Sequence, residues 1–290
     1  MSEFSVAQSL AAAPTMSFEF FPPKTDAGLE SLRNAVRELE PLKPDFVSVT
    51  YGASGSTRDR TLAATRFIQQ QTSVATMGHL TCVGQTADDL RSVLGSYAKL
   101  KVRHILALRG DPSGGPTAPW HTHPGGLANA TELVRLAKAE GDFSVGVAAF
   151  PDAHPEHHDF ELDARILLDK QEAGAEFAIT QLFFRAESYF ALVRRLRRLG
   201  CTMPVIAGIM PVTDVSQVER FAQLSGAEMP APLANRLREV AGDPQAVAQV
   251  GLEIALELCR ELLAGGAPGL HFFTQNRSTA TKRILAALNP

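Results

Sequence analysis

An α/β fold, a (βα)8 TIM barrel with an extra helical insertion before strand 8, is what the sequence predicts, on three observations. Eight short apolar runs alternate with longer segments of helical period. The runs are apolar without interruption rather than alternately polar, as expected of strands buried on both faces. Each strand–helix unit spans roughly 30 residues, the length that a right-handed crossover between parallel strands needs. Eight such units favour closure into a barrel over an open, doubly wound sheet.

Taken in order, strands are expected at 17–21, 46–51, 76–82, 104–110, 144–150, 177–184, 205–210 and 270–274. Helices are expected at 27–42, 58–71, 86–100, 128–140, 159–173, 187–199, 214–225, 244–264 and 278–288. In the second helix Leu62, Ala63, Phe67 and Ile68 repeat at three- and four-residue spacing, the mark of one buried face. The helical stretch 231–241 is the insertion before the last strand. The face Leu252, Ala255, Leu256 and Cys259 could turn to the barrel or to a second copy in a homo-oligomer. Residues 1–15 carry Glu3 and only a short alanine-rich patch, so they read as a loose N-terminal arm rather than a signal peptide. Residues 16–290 then form a single catalytic domain.

Composition narrows the function. With 28 Lys and Arg against 31 Asp and Glu, a net charge of −3 and no basic stripe, nucleic acid is not an expected partner. Hydrophobic residues make up 45% of the chain, enough for a large core, yet no apolar run approaches the roughly 20 residues of a membrane span. Cys82, Cys201 and Cys259 are far apart and form no C-x-x-C pair, so a reducing cytoplasm is the expected location. Phosphate-loop, dinucleotide-fold and nucleophile-elbow motifs are absent. His121, His123, His154, His157 and His158 lack acidic or cysteine partners at ligand spacing and are read as loop residues, except His154, which follows directly on strand 5, so no metal is expected.

In a barrel the chemistry sits where strands end, and several polar residues collect there. Glu19 interrupts the aromatic run Phe18-Glu19-Phe20-Phe21. It is either a core ion pair or a general acid whose pKa is lifted by desolvation. Strand 2 ends in Thr50-Tyr51-Gly52, strand 3 carries His79 and Thr81, strand 4 ends in Arg109-Gly110-Asp111, strand 6 holds Thr180 and Gln181, and strand 8 runs into Thr274-Gln275-Asn276-Arg277. Singly, Asp111 could cap a turn, Arg109 could pair with an acid, and His79 could be a satisfied core histidine. Together they form a small-molecule site.

Seven motifs carry a family resemblance: Phe18-Glu19-Phe20-Phe21-Pro22-Pro23, Phe46-Val47-Ser48-Val49-Thr50-Tyr51-Gly52-Ala53, His79-Leu80-Thr81-Cys82, Ala107-Leu108-Arg109-Gly110-Asp111, His154-Pro155-Glu156, Ile179-Thr180-Gln181 and Asn276-Arg277. In this order, over 17–288, the chain resembles the methylenetetrahydrofolate reductases. The resemblance implies reduction of 5,10-methylenetetrahydrofolate to 5-methyltetrahydrofolate with electrons from NADH or NADPH. It implies that Glu19 protonates N10, that Asp111 and Gln181 contact the folate, that Phe221 covers the ligands, and that Arg277 meets the glutamate tail. It further implies that no adenosylmethionine-binding regulatory domain follows the barrel.

The family routes hydride through FAD, and the positions that would hold a cofactor are Thr50, Tyr51, His79, Arg109, Gly110, Phe150, His154, Asp163 and Lys170, with Asp111 beside them. Four residues depart from the flavin pattern: Asn129 and Phe150 stand for tyrosine, Ile166 for asparagine and Asp169 for arginine. Losing a cation and gaining an acid disfavours a diphosphate. FAD is therefore expected to be absent, with hydride passing directly from NAD(P)H. Binding of FAD with ping-pong turnover is the alternative. A folate methyltransferase is disfavoured because it has no need of Glu19. A non-catalytic folate-binding subunit is disfavoured because Glu19 and Gln181 are both kept.

Overall fold

In the computed structural model, residues 5–51 and 58–288 are described; Gly52 and Ala53 of the strand 2 motif lie outside them. Eight parallel strands close into a barrel in sequence order. They are β1 (Thr15–Phe20), β2 (Phe46–Val49), β3 (Ala75–Thr81), β4 (His104–Leu108), β5 (Ser144–Ala149), β6 (Phe177–Thr180), β7 (Val205–Ile209) and β8 (Gly269–Phe273). The helices outside are α2 (Asp26–Leu39), α3 (Arg58–Gln71), α4 (Ala87–Lys99), α5 (Ala130–Glu140), α6 (Phe160–Glu172), α7 (Ala186–Arg198), α8 (Val215–Ser225), α10 (Pro244–Ala264) and α11 (Thr279–Leu288). The expected insertion is α9 (Ala231–Glu239), between α8 and α10.

Strand side chains alternate between two cores. Phe18, Phe20, Val47, Val49, Leu80, Ile105, Val145, Val147 and Phe272 pack outward under the helices. Phe46, Met77, Leu106, Phe177, Ile179 and Ile206 pack together inside the barrel. The face of α10 that carries Ala255, Leu256 and Cys259 is buried in the outer core, so it turns to the barrel.

The N-terminal segment departs from the expected loose arm. Val6–Ala12 forms a short helix, α1, capped by Ser5, and its Val6 and Leu10 pack into the inner core. This apolar pair closes the end of the barrel opposite the loops, where an open sheet end would expose Phe46 and Met77 to water. Burying side chains of this size contributes roughly 1.5–3 kcal/mol each.

Three strands stop two or more residues short of their expected ends. β2, β4 and β6 end at Val49, Leu108 and Thr180 because the ladder partners run out there. Leu182, Phe183 and Phe184 are buried as loop, not as strand. The polar residues that follow each strand are thereby freed to line a site.

Candidate active site

Ser17 and Glu19 share the inward side of β1, in register with His271 and Phe273 on β8 and with Phe46 and Ser48 on β2. Glu19 Oε2 lies 3.6 Å from His79 Nε2 and 3.6 Å from His271 Nε2. His79 is 4% exposed, and its Nε2 has no hydrogen-bond partner among the described residues. Burial pulls its pKa down to about 4, against the opposing pull of Glu19, so the ring is neutral at pH 7. His271 is fully buried, with Nδ1 2.7 Å from the Ser17 hydroxyl and Nε2 3.2 Å from that of Ser48. Its ring stacks on Phe46 and meets Phe273 edge-on. Sequence reasoning missed His271, although it interrupts Leu270-His271-Phe272-Phe273 in the way that Glu19 interrupts its own strand.

Above this cluster opens a cavity of about 580 Å³ whose walls include Glu19, Thr50, Tyr51, His79, Asp111, Gln181, Phe221 and Arg277. The five positions expected to contact folate are thus brought to one space. Gln181 is fixed by the Leu182 N–H, which donates to its Oε1 at 2.8 Å. Phe221 sits on α8 and packs on the apolar cluster under α8, α9 and α10 while lining the cavity, so it is core and wall at once. Tyr51 is buried, donates to Gln85 Oε1 at 3.0 Å, and has its pKa pushed up to about 12 by desolvation. Asp111 stands at the rim; crowding lifts its carboxyl above the ordinary value, with Arg109 opposing.

A second cavity, of about 510 Å³, adjoins the first and shares Leu108, Asp111, Ala148, Gln181, Leu224 and Ser225 with it. Six of the positions expected to hold a cofactor line it: Arg109, Gly110, Phe150, His154, Asp163 and Lys170. Thr50, Tyr51 and His79 belong to the first cavity instead. Gly110 turns the chain at the end of β4 with φ +81°, and a Cβ there would stand 2.6 Å from Val83, so glycine is required. The Asp163 carboxylate accepts the His154 N–H at 2.8 Å, and burial raises its pKa. His154 packs edge-on against Phe150, and burial, reinforced by Arg109 and His157, lowers its pKa to about 4.

Asn129, Phe150, Ile166 and Asp169, the four departures, all line this second cavity. Asn129 caps α5, accepting the Glu132 N–H at 3.0 Å. A dinucleotide diphosphate in the manner of FAD fits poorly here, because both cations are engaged. Arg109 is 2.6 Å from Glu156 and lies over the Trp120 ring at 4.9 Å. Lys170 is buried against the Ala148 carbonyl at 3.3 Å, and burial lowers its pKa to about 8. Glu156, Asp163 and Asp169 add carboxylates that would face a dianion. Arg109 Nη2 has no partner among the described residues. No cluster of three or more His, Cys, Asp or Glu side chains suited to a metal is found among the described residues.

The model of the methylenetetrahydrofolate reductase family matches residues 5–289. The chain is 38% identical over 284 residues to 5,10-methylenetetrahydrofolate reductase of Escherichia coli (strain K12), covering 97% of this chain and 94% of that one. It is 34% identical to methylenetetrahydrofolate reductase (NADH) 1 of Arabidopsis thaliana, covering 94% of this chain and 48% of the plant protein. Among solved structures, an uncharacterized Clostridium thermocellum protein that binds two copies of 5-methyl-5,6,7,8-tetrahydrofolic acid superposes with a TM-score of 0.64 at 13% identity, covering 98% of each chain, a likeness of fold. No helix among the described residues is long and apolar enough to cross a membrane. On the match over nearly its full length, the chain belongs to the methylenetetrahydrofolate reductase family.

Proposed function

We propose that this protein reduces 5,10-methylenetetrahydrofolate to 5-methyltetrahydrofolate by direct hydride transfer from NADH or NADPH, with both substrates bound together. The observation that carries this reading is the pair of adjoining cavities with Asp111 and Gln181 in their shared wall. One is suited to folate and holds the acid. The other is suited to the dihydronicotinamide end of the donor. In that donor a ribose, rather than a longer ribityl chain, joins the ring to the diphosphate, so its phosphates need not reach the Asp169 end.

Glu19 donates a proton to N10, the N10–methylene bond breaks, and the bridge becomes an N5 iminium cation. The iminium carbon accepts hydride from C4 of the dihydronicotinamide, giving the N5 methyl group and NAD(P)+. Glu19 then takes a proton from solvent, which balances the turnover. Neutral His79 adds no positive charge beside Glu19. Gln181 and Asp111 orient the two ligands across the shared wall, Phe221 excludes water from above, and Arg277 meets the glutamate carboxylates. The free thiols of Cys82, Cys201 and Cys259 support a cytoplasmic setting.

The test is spectroscopy followed by two-substrate kinetics. The purified protein is expected to be colourless and to oxidise NAD(P)H only when methylenetetrahydrofolate is present. Double-reciprocal lines should intersect, and added FAD should have no effect. Parallel lines with stoichiometric FAD would overturn direct transfer.

A further inference from the structure

His271, inside the barrel on β8, takes no part in the steps above, yet its ring is fully buried and held at both nitrogens. Nδ1 lies 2.7 Å from Ser17 Oγ, which is itself 3.3 Å from the Leu270 carbonyl, a group that can only accept. Nε2 lies 3.2 Å from Ser48 Oγ.

Two arrangements of hydrogens are open to this chain, and they do not satisfy it equally. With the hydrogen on Nδ1, the ring donates to Ser17, Ser17 donates to the Leu270 carbonyl, and Ser48 donates to the bare Nε2. Every polar hydrogen then has an acceptor. With the hydrogen on Nε2, Ser17 turns to Nδ1, and the Ser48 hydrogen has no acceptor among the described residues. A buried hydroxyl hydrogen left without an acceptor is costly, so the Nδ1–H tautomer is favoured.

The consequence falls on Glu19, whose Oε2 lies 3.6 Å from that same Nε2, beyond hydrogen-bond range. A bare ring nitrogen turns the negative end of the imidazole dipole to the carboxyl. It disfavours the carboxylate and favours the protonated acid, whose O–H can swing toward it. The last torsion of a glutamate is soft, so a turn of the carboxyl brings the proton round to N10. The hydrogen-bonded chain ends at the Leu270 carbonyl, so it orients the ring and conducts no proton. The other titratable or charged groups facing Glu19 are His79 from β3 and, around the cavity, Tyr51, Asp111 and Arg277. Burial keeps His79 uncharged and the Tyr51 hydroxyl, pushed up to about 12, protonated near neutral pH.

We propose that His271 is a positioning residue for the reduction: Ser17 and Ser48 lock its ring with the bare Nε2 toward Glu19, which keeps Glu19 in the acid form that ring opening needs. The proposal rests on the reading that Glu19 protonates N10.

Two measurements test it. The first is kcat against pH with NADH and methylenetetrahydrofolate, which in the wild type should decline as rising pH strips Glu19 of its proton. His271→Asn keeps a donor for Ser17 and leaves nothing at the Nε2 position; His271→Gln restores an amide oxygen there. In His271→Asn the decline should set in about one pH unit lower, so that kcat falls about tenfold on the alkaline side and much less on the acid side. His271→Gln should recover most of the loss. An equal loss at every pH, or a decline displaced to higher pH, would overturn the proposal. The second measurement needs no variant: NMR of nitrogen-labelled histidine, with His271 assigned through its ring contacts to Phe46 and Phe273. A protonated Nδ1 and a bare Nε2 are expected, and a hydrogen on Nε2 would overturn the proposal. If the wild type showed no folate-dependent oxidation of NADH or NADPH, the reductase reading would fall and this proposal with it, whatever the tautomer.

Discussion

At the scale of single residues the account depends on Glu19 and its two imidazole neighbours. Glu19→Gln keeps the shape and the hydrogen-bonding reach but removes the proton. We expect kcat to fall by about 10²–10⁴-fold, the range of general acid contributions, with binding of 5-methyltetrahydrofolate preserved. Undiminished turnover would remove the acid role. His79 makes a separate prediction about pH. Its folded pKa of about 4 lies below the ordinary 6.5, so the unfolded chain binds the extra proton between those values. Stability contributed by the buried neutral ring is complete above about pH 6.5 and is lost as the pH falls toward 4, by about 3 kcal/mol at most. Urea midpoints measured from pH 7.5 to pH 5 should show this decline, and His79→Asn should make it shallower, leaving the part that buried His154 contributes. An unchanged slope in the variant would place the titration elsewhere. Glu19 could be found from sequence because a charge inside an aromatic strand has no water-facing side to explain it. His271 carried the same signal and was missed, because a lone histidine among apolar residues reads as a satisfied core side chain.

At the scale of elements, the barrel was legible because parallel strands buried on both faces are written as unbroken apolar runs. Strand ends were less so. The run Leu182-Phe183-Phe184 continues the apolar pattern of β6, yet the ladder stops at Thr180, and hydropathy does not distinguish a buried loop from a buried strand. The element misread was α1. Seven residues rich in alanine show too few turns for helical period to register, and the helix is stabilised by contacts distant in sequence, Val6 and Leu10 against Phe46, Met77 and Phe177. Leu10→Ala should therefore lower stability by about 2 kcal/mol, read as a shift in urea midpoint, with kcat unchanged because the site lies at the other end of the barrel. Loss of activity without loss of stability would show that α1 does more than close the barrel. The four departures on the flavin side were visible in sequence one at a time. Only the fold shows that they face a single cavity, where Arg109 is paired with Glu156 and Lys170 is buried.

At the scale of the whole molecule, eight strands deliver their polar ends to one face, and two cavities there share a wall. That arrangement suits two substrates present at once, and one isotope experiment decides whether hydride crosses between them directly. Turnover is run in ordinary water with NADH or NADPH carrying deuterium at both C4 positions, and the methyl group of the product is examined by mass spectrometry. Direct transfer predicts one deuterium in every methyl group formed. A methyl group without deuterium would mean that the hydride had paused on a carrier whose hydrogen exchanges with solvent, as it does on the N5 of a reduced flavin, and would contradict the account.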